Sequence, residues 1–576
     1  VADAWGPAIG PETTRFRLWA PGVDALELIL DDGARPMRAA GDGWWQAEAP
    51  ARAGDPYAFR LPSGLTVPDP AARAQAGDVH GPSRLVAPGH AWRHDGPRRP
   101  WEEAVICEIH IGTFTPEGTF RAAIEKLPLL AEAGYTAIDI LPVAQFGGDR
   151  GWGYDGVLLY APHPAYGTPD DLRALVDAAH GAGLMVMLDV VYNHFGPDGN
   201  YLGAYAPAFF DANRQTPWGA GIDYARPAVR RFFVENALHW IRDYRIDGFR
   251  FDAIDQIRDA SDPELLVEIA RAVRAEAPWA WMMTEDNRNV IHLHPYEGPR
   301  IMDGEWNDDW HNAAHVILTG ETDGYYDAFA RAPHAKLARC LAEGFAHQGE
   351  ADGPEGPHGG PWGEDSRGQP PQAFVDFLQN HDQTGNRARG ERLTALAEPA
   401  ALEAMQAILL LSPHVPLMFM GEEWGAAEPF LFFAGFEGDL ARAVTEGRRR
   451  EFADFGGFGG AVPDPIDPAT FAASRIDWAA RDRATGRAAL ARVRALLALR
   501  RRHVIPHLAD AGGHGGAVLP APEGAVCVDW RLAGAGLHLR ANLTGAALDL
   551  PAAPGAPIHL TGAARGAPWS AEWSAS

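Results

Sequence analysis

Three cysteines in 576 residues, Cys107, Cys340 and Cys527, are too few and too scattered for a disulfide framework or a zinc site, since no CxxC-type spacing joins any two. A reducing compartment, the cytoplasm, is therefore the expected setting. Residues 1–7 lack a basic run followed by an apolar one, so no signal peptide is expected. Membrane-length apolar runs are lacking as well. The most apolar stretch, residues 407–411 and 416–420, is broken by Ser412-Pro413-His414 and reads as a core helix followed by a core strand. Positive charge is scarce: Lys occurs only at 126 and 336, and 50 basic residues face 76 acidic ones for a net charge of −26. That balance excludes nucleic acid or an anionic membrane as the main partner and suits a neutral or cationic ligand. No internal repeat is found.

What the chain has in quantity is apolar sequence in two different periods. Residues 1–95 read as a small β-sandwich: Phe16, Leu18 and Ala20 alternate with other residues, and Leu26, Leu28 and Leu30 do so again after the Pro21-Gly22 turn. Trp44-Trp45 on this domain is either a stacking platform for sugar rings or simple packing. From 96 to 502 the pattern becomes strand then helix. Strands are expected at 105–111, 137–143, 184–191, 248–252, 281–285, 300–306, 373–382 and 416–420. Helices lie between them, one over 121–132, one opened by Thr168-Pro169-Asp170-Asp171, and one capped by Asp262-Pro263. Eight such units make an α/β chain with a parallel sheet closed as a (β/α)8 TIM barrel. Two stretches lose the period, an excursion at 193–226 after the third strand and an insertion at 424–485. Residues 503–576 return to alternation at Val526, Val528 and Trp530 and at Leu537, Leu539 and Ala541, a C-terminal antiparallel β domain.

The barrel strands end in polar residues, and that is where a barrel builds its site. The strand Gly248-Phe249-Arg250-Phe251 closes on Asp252, and Arg250, two residues earlier, points to the same side and would hold that carboxylate ionised. Asp189 with Asn193 and His194, Glu285, and Asn380-His381-Asp382 close three other strands. One carboxylate as nucleophile and a second as general acid, then base, is the arrangement for retaining glycoside hydrolysis. His194 and His381 would donate hydrogen bonds to sugar hydroxyls, and Tyr154 offers a ring for stacking.

Asp189-Val-Val-Tyr-Asn193-His194, Gly248-Phe-Arg250-Phe-Asp252, Glu285 and Asn380-His381-Asp382 resemble the four motif regions of the α-amylase superfamily, glycoside hydrolase family 13. A finer resemblance, to the trehalose-releasing members of that family, rests on residues 193–202, Glu285-Asp286-Asn287-Arg288-Asn289, Gln379 to Gln383, and Met420-Gly421-Glu422-Glu423-Trp424 leading to residues 429–433. The resemblance implies cleavage of the α-1,4 bond joining a malto-oligosaccharide to a terminal trehalose, with maltooligosyltrehalose and related α-1,4-glucans as ligands and functional coupling to the synthase that makes that substrate. It implies Asp252 as nucleophile, Glu285 as general acid/base and Asp382 as the residue holding the sugar hydroxyls. Tyr154, Asp189, His194, Arg250, Asn380 and His381 would line the reacting subsite, with Trp218, Glu305, Trp306 and Asp308 on the leaving-group side. In calcium-dependent members Asn193 would be a metal ligand; the rest of an oxygen cage is not visible here, so neither metal nor cofactor is expected. The alternatives are a 1,4-α-glucan branching enzyme or an α-amylase of the same superfamily, or a glucan-binding relative without catalysis.

Overall fold

The computed structural model describes residues 5–216, 218–294, 300–452 and 462–576. The start of the chain, Pro217 in the excursion and 453–461 in the insertion lie outside the described residues. Eight parallel strands close on themselves: β1 (Ile106–Ile109), β2 (Ala137–Ile140), β3 (Met185–Val190), β4 (Gly248–Phe251), β5 (Trp281–Thr284), β6 (Gly304–Trp306), β7 (Phe374–Phe377) and β8 (Val415–Phe419). Ile106, Met187, Trp281, Met283, Trp306, Phe377 and Leu417 fill one buried cluster inside the ring, a packed core and not a pore. Register places Glu108 beside Asp139, Asp189 beside Arg250 and Thr284 beside Glu305.

All eight expected strands are present, seven of them shorter than expected and β8 of the expected length but displaced by one residue. β7 stops at Phe377, not at 382, because Asn380 accepts from Gln383 N–H at 2.8 Å and starts the helix His381–Gly385. The helix expected over 121–132 is split into Phe120–Ile124 and Leu127–Ala133, with Pro128, which has no N–H to give, in the first turn of the second piece. Thr168 and Asp171 form a full capping box on Pro169–Gly181. The helix after β4 begins at Leu265 and is not capped by Asp262: the Leu265 N–H goes instead to Asp259 Oδ2 at 2.7 Å.

Two antiparallel sheets precede the barrel. One is ordered Ala8–Ile9, Thr14–Trp19, Trp44–Ala49, Arg38–Gly41, and the other Gly33–Pro36, Glu27–Leu30, Pro56–Arg60, Thr66–Val67. Trp44 and Trp45, as consecutive strand residues, face opposite sides. Trp44 is buried against Trp5 with centroids 4.9 Å apart, and Trp45 donates Nε1–H to Ala20 O. The pair is therefore packing and offers no joint platform. A five-stranded antiparallel sheet follows the barrel, ordered Gly516–Val518, Ala525–Leu532, Ala535–Asn542, Ser570–Ala575, Ala556–Thr561. Among the described residues no helix is long and apolar enough to cross a membrane.

Candidate active site

Segments at the carboxyl ends of five strands build the site. After β2 the chain makes an antiparallel pair, Ala144–Phe146 with Gly156–Pro162, and the turn between them carries Tyr154. The excursion after β3 contains the helix Leu202–Tyr205 and the hairpin Phe210–Thr216 with Gly219–Ile222. The strand end of β4 supplies Asp252, that of β5 Glu285, and the helix after β7 His381 and Asp382.

Arg250 is the centre of this cluster. Its fully buried guanidinium donates from Nη1 to Asp189 Oδ2 and to Asp252 Oδ1, both at 2.8 Å, and Nη2 pairs with Glu285 Oε2 at 2.7 Å. The ring of Trp306 lies 4.2 Å beneath the cation. Asp252 also accepts twice from Asn193 Nδ2 at 2.9 Å, at its carboxyl and its backbone oxygen. Glu285 Oε2 takes the N–H of Ala253 at 2.8 Å, so the residue after Asp252 holds the second carboxyl. Tyr154 donates to Asp189 at 2.5 Å, and His194 is fixed between Asn193 Oδ1 and Tyr154 O.

One guanidinium cannot neutralise three carboxyl groups out of water, and the protons distribute accordingly. Burial, with the like charges of Asp252, Asp382 and Asp308, pushes the Glu285 carboxyl well up despite Arg250. Burial and Asp252 carry Asp189 up to about 7 against the pull of Arg250. His381 shows the opposite balance: burial works against its charge, yet Asp382 and Glu108 hold it up at about 9. An acid that keeps its proton next to a carboxyl fixed by two donors is equipped for proton transfer to a leaving oxygen and attack at a neighbouring carbon.

Of the residues named from sequence, Asp189, Arg250, Asp252, Glu285, Tyr154 and His194 are joined by direct contacts, and His381 stacks on Tyr154 at 4.9 Å. Asp382 stands at the open side, 3.4 Å from His381 Nε2. Asn380 is buried and spends its side chain capping the helix that carries them. On the expected leaving-group side the four residues part company. Trp218, 44% exposed, stacks on His194 at 4.4 Å, and Asp308, next to Asp382, is raised to about 7 by burial and that like charge. Trp306 is enclosed in the barrel interior under Arg250, while Glu305, its strand neighbour, points the other way and lies buried 3.1 Å from His294 Nε2. Neither presents a face to a sugar, because β6 alternates one residue in and the next out.

Sequence reasoning missed Glu108 and Asp139, charged residues in the middle of apolar strands, which is itself the signal. Both are buried in the layer below the mouth, and burial with Asp189 and Glu108 nearby pushes Asp139 well up. Among the described residues no group of three or more His, Cys, Asp or Glu is disposed to hold a metal ion.

A closed parallel barrel with carboxyl groups gathered on one arginine at its mouth defines a class, the α-amylase-type glycoside hydrolase barrel. Residues 73–206 match the family model described as the catalytic domain of alpha amylase. The chain is 42% identical over 528 residues to the malto-oligosyltrehalose trehalohydrolase of Deinococcus radiodurans, spanning 89% of this chain and 86% of that protein. It is 40% identical to the trehalohydrolase of Rhizobium sp. strain M-11, with 88% of each covered. The crystal structure of a Salmonella typhimurium protein assigned as an alpha amylase superposes over 100% of both chains with a TM-score of 0.95 and 51% identity. The chain belongs to the malto-oligosyltrehalose trehalohydrolase family of the α-amylase superfamily.

Proposed function

We propose that this chain hydrolyses, with retention, the α-1,4-glucosidic bond next to the terminal trehalose of maltooligosyltrehalose, releasing trehalose and a malto-oligosaccharide. The observation that carries the chemistry is the sharing of Arg250 between Asp252 and Glu285 at 2.8 and 2.7 Å. One guanidinium serving both keeps them close, which fits the roughly 5–5.5 Å spacing of a retaining pair rather than the wider gap that admits a water. Asp252 is the nucleophile. Glu285, held protonated, donates to the leaving oxygen and then takes a proton from the incoming water. Asp382 binds the hydroxyls of the reacting sugar, with Tyr154, His194, His381 and Arg250 around that ring and Trp218 and Asp308 on the leaving-group side. Asp189 and Asn380 act through these residues, by holding Arg250 and Tyr154 and by capping the His381 helix.

The choice of bond is supported by relatives of matching length that carry the trehalohydrolase name. A synthase that caps glucans with trehalose would supply the substrate. Work in the cytoplasm suits three buried, unpaired cysteines. Domain divisions near 95 and 502 follow the change from antiparallel sheets to the barrel and back, and the N-terminal part is of the kind that accompanies glucan-acting barrels.

Incubation with maltotriosyl-trehalose and, separately, with maltopentaose tests the reading by chromatography of the products. Free trehalose from the first with little action on the second is expected. Rapid breakdown of maltopentaose would make it an amylase, branched products from amylose a branching enzyme, and inactivity on all three a glucan-binding protein.

A further inference from the structure

His381 is held on every side. Tyr154 stacks on its ring within 18° of parallel, Trp152 meets it edge-on at 5.6 Å, and Trp306 lies 6.1 Å away. None of these rings decides which nitrogen faces the open side of the pocket. Glu108 does. From β1, 273 residues away in the chain, its Oε2 accepts the His381 backbone N–H at 2.8 Å and its Oε1 lies 2.6 Å from Nδ1. Both residues are 1% exposed, so the carboxyl meets no solvent and spends both oxygens on one partner.

We propose that Glu108 is a positioning residue for the glycosidic cleavage, fixing His381 as the imidazolium whose Nδ1–H points into the barrel and whose Nε2–H points at the sugar beside Asp382. The reasoning is one of proton count. A neutral imidazole has a single N–H, and if Glu108 takes it at Nδ1, Nε2 is left as a bare acceptor. Only the protonated ring satisfies Glu108 and also donates from Nε2, which stands 3.4 Å from Asp382 Oδ2. The groups facing the ring fit this state. Glu108 on β1 and Asp382 on the ring's own helix favour the cation, and Arg250 on β4 opposes it. Asp139 on β2 and Asp189 on β3, both pushed up by burial, and His110 after β1, pushed down by burial, complete the titratable surroundings.

This proposal rests on the hydrolytic reading above, and its test separates the two. In Glu108→Gln one of the two acceptors becomes an N–H₂ donor facing a donor, and the charge is gone. With maltotriosyl-trehalose the expected result is a kcat about 10–100-fold lower, the loss typical of removing an orienting partner from a functional histidine. The basic limb of the kcat profile should also move to lower pH, because His381 gives up its proton earlier. In the His381→Asn background the same change should cost nothing further, since its only route of action has been removed. A Glu108→Gln enzyme with kcat within about twofold of wild type and an unmoved pH profile overturns the proposal, whatever its melting temperature. So does a double variant that loses the product of the two single effects. If Glu108→Gln does not fold, Glu108→Asp carries the test: its shorter carboxylate keeps the charge but reaches one N–H group only, so kcat should fall while the pH limb stays, and an unchanged kcat overturns the proposal. Wild-type protein that releases no trehalose counts against the substrate reading, and kcat on whichever glucan it cleaves then tests Glu108.

Discussion

Glu285 is the residue on which the pH behaviour turns. Its carboxyl lies on Arg250 and on the Ala253 N–H, contacts that favour the anion, yet burial and three like charges outweigh them and raise its pKa. A carboxyl raised in the folded state stays protonated above its ordinary range and loses the proton only as pH climbs through the raised value. Activity that needs the acid form is therefore retained at neutral pH and falls on the alkaline side. Glu285→Gln is expected to lower kcat about 10²–10⁴-fold, the usual worth of a positioned proton donor, and to leave an alkaline fall set by His381, held up at about 9, alone. Steady-state rates across pH 5–10 check both. A variant whose alkaline limb is unmoved from wild type would show that Glu285 does not shape it.

At the scale of elements, the excursion hairpin shows what a loop adds to a rigid barrel. Trp218 at its tip has no core to pack in, stacks on His194 at 4.4 Å and leaves nearly half its surface open beside the mouth. Trp218→Ala should raise KM for maltotriosyl-trehalose about 3–10-fold, the worth of one aromatic stack, with kcat and thermal stability little changed. A fall in kcat at constant KM would show that the hairpin acts on the chemistry instead. The carboxyls Asp189, Asp252, Glu285 and Asp382 were legible in the sequence because a carboxyl closing an apolar run has no packing explanation, although Asp382 falls on the helix after β7 and not on the strand itself. Glu108 was not, since its partner lies 273 residues away and only closure of the ring brings β1 to the helix after β7. The antiparallel pair that presents Tyr154 was hidden too, since Ala144–Phe146 is too short to show a period and no strand was expected between 143 and Thr168. Glu305 and Trp306 were misplaced for a simpler reason. Two polar or aromatic residues at a strand end suggest a site, but alternation sends one outward and one into the core.

For the molecule as a whole, the question is how a separate β-sandwich bears on a site at the barrel mouth. The answer runs through Trp5. Its indole stacks edge-on against Trp44 at 4.9 Å and, across the boundary, against Phe232 at 5.0 Å on the helix Pro227–Tyr244. Its backbone N–H reaches Glu235 Oε2 at 2.8 Å and its Nε1–H reaches Ala228 O at 3.0 Å. That helix leads directly into β4, the strand that ends in Asp252. Trp5 also approaches Phe209 in the excursion, so one side chain ties the N-terminal sheets to two elements next to the site. Removing a buried tryptophan of this kind costs about 3–5 kcal/mol, and here the cost falls on a boundary, so it should separate transitions that are otherwise joined. Trp5→Ala is expected to unfold in two steps in urea, the first at lower concentration than the single step of wild type. At low temperature kcat should stay close to wild type, because none of the groups on Arg250 has moved. A single transition of unchanged midpoint would mean that the sandwich is held by contacts elsewhere, and a loss of kcat in the folded protein would mean that the sandwich sets the geometry of β4 rather than only its stability.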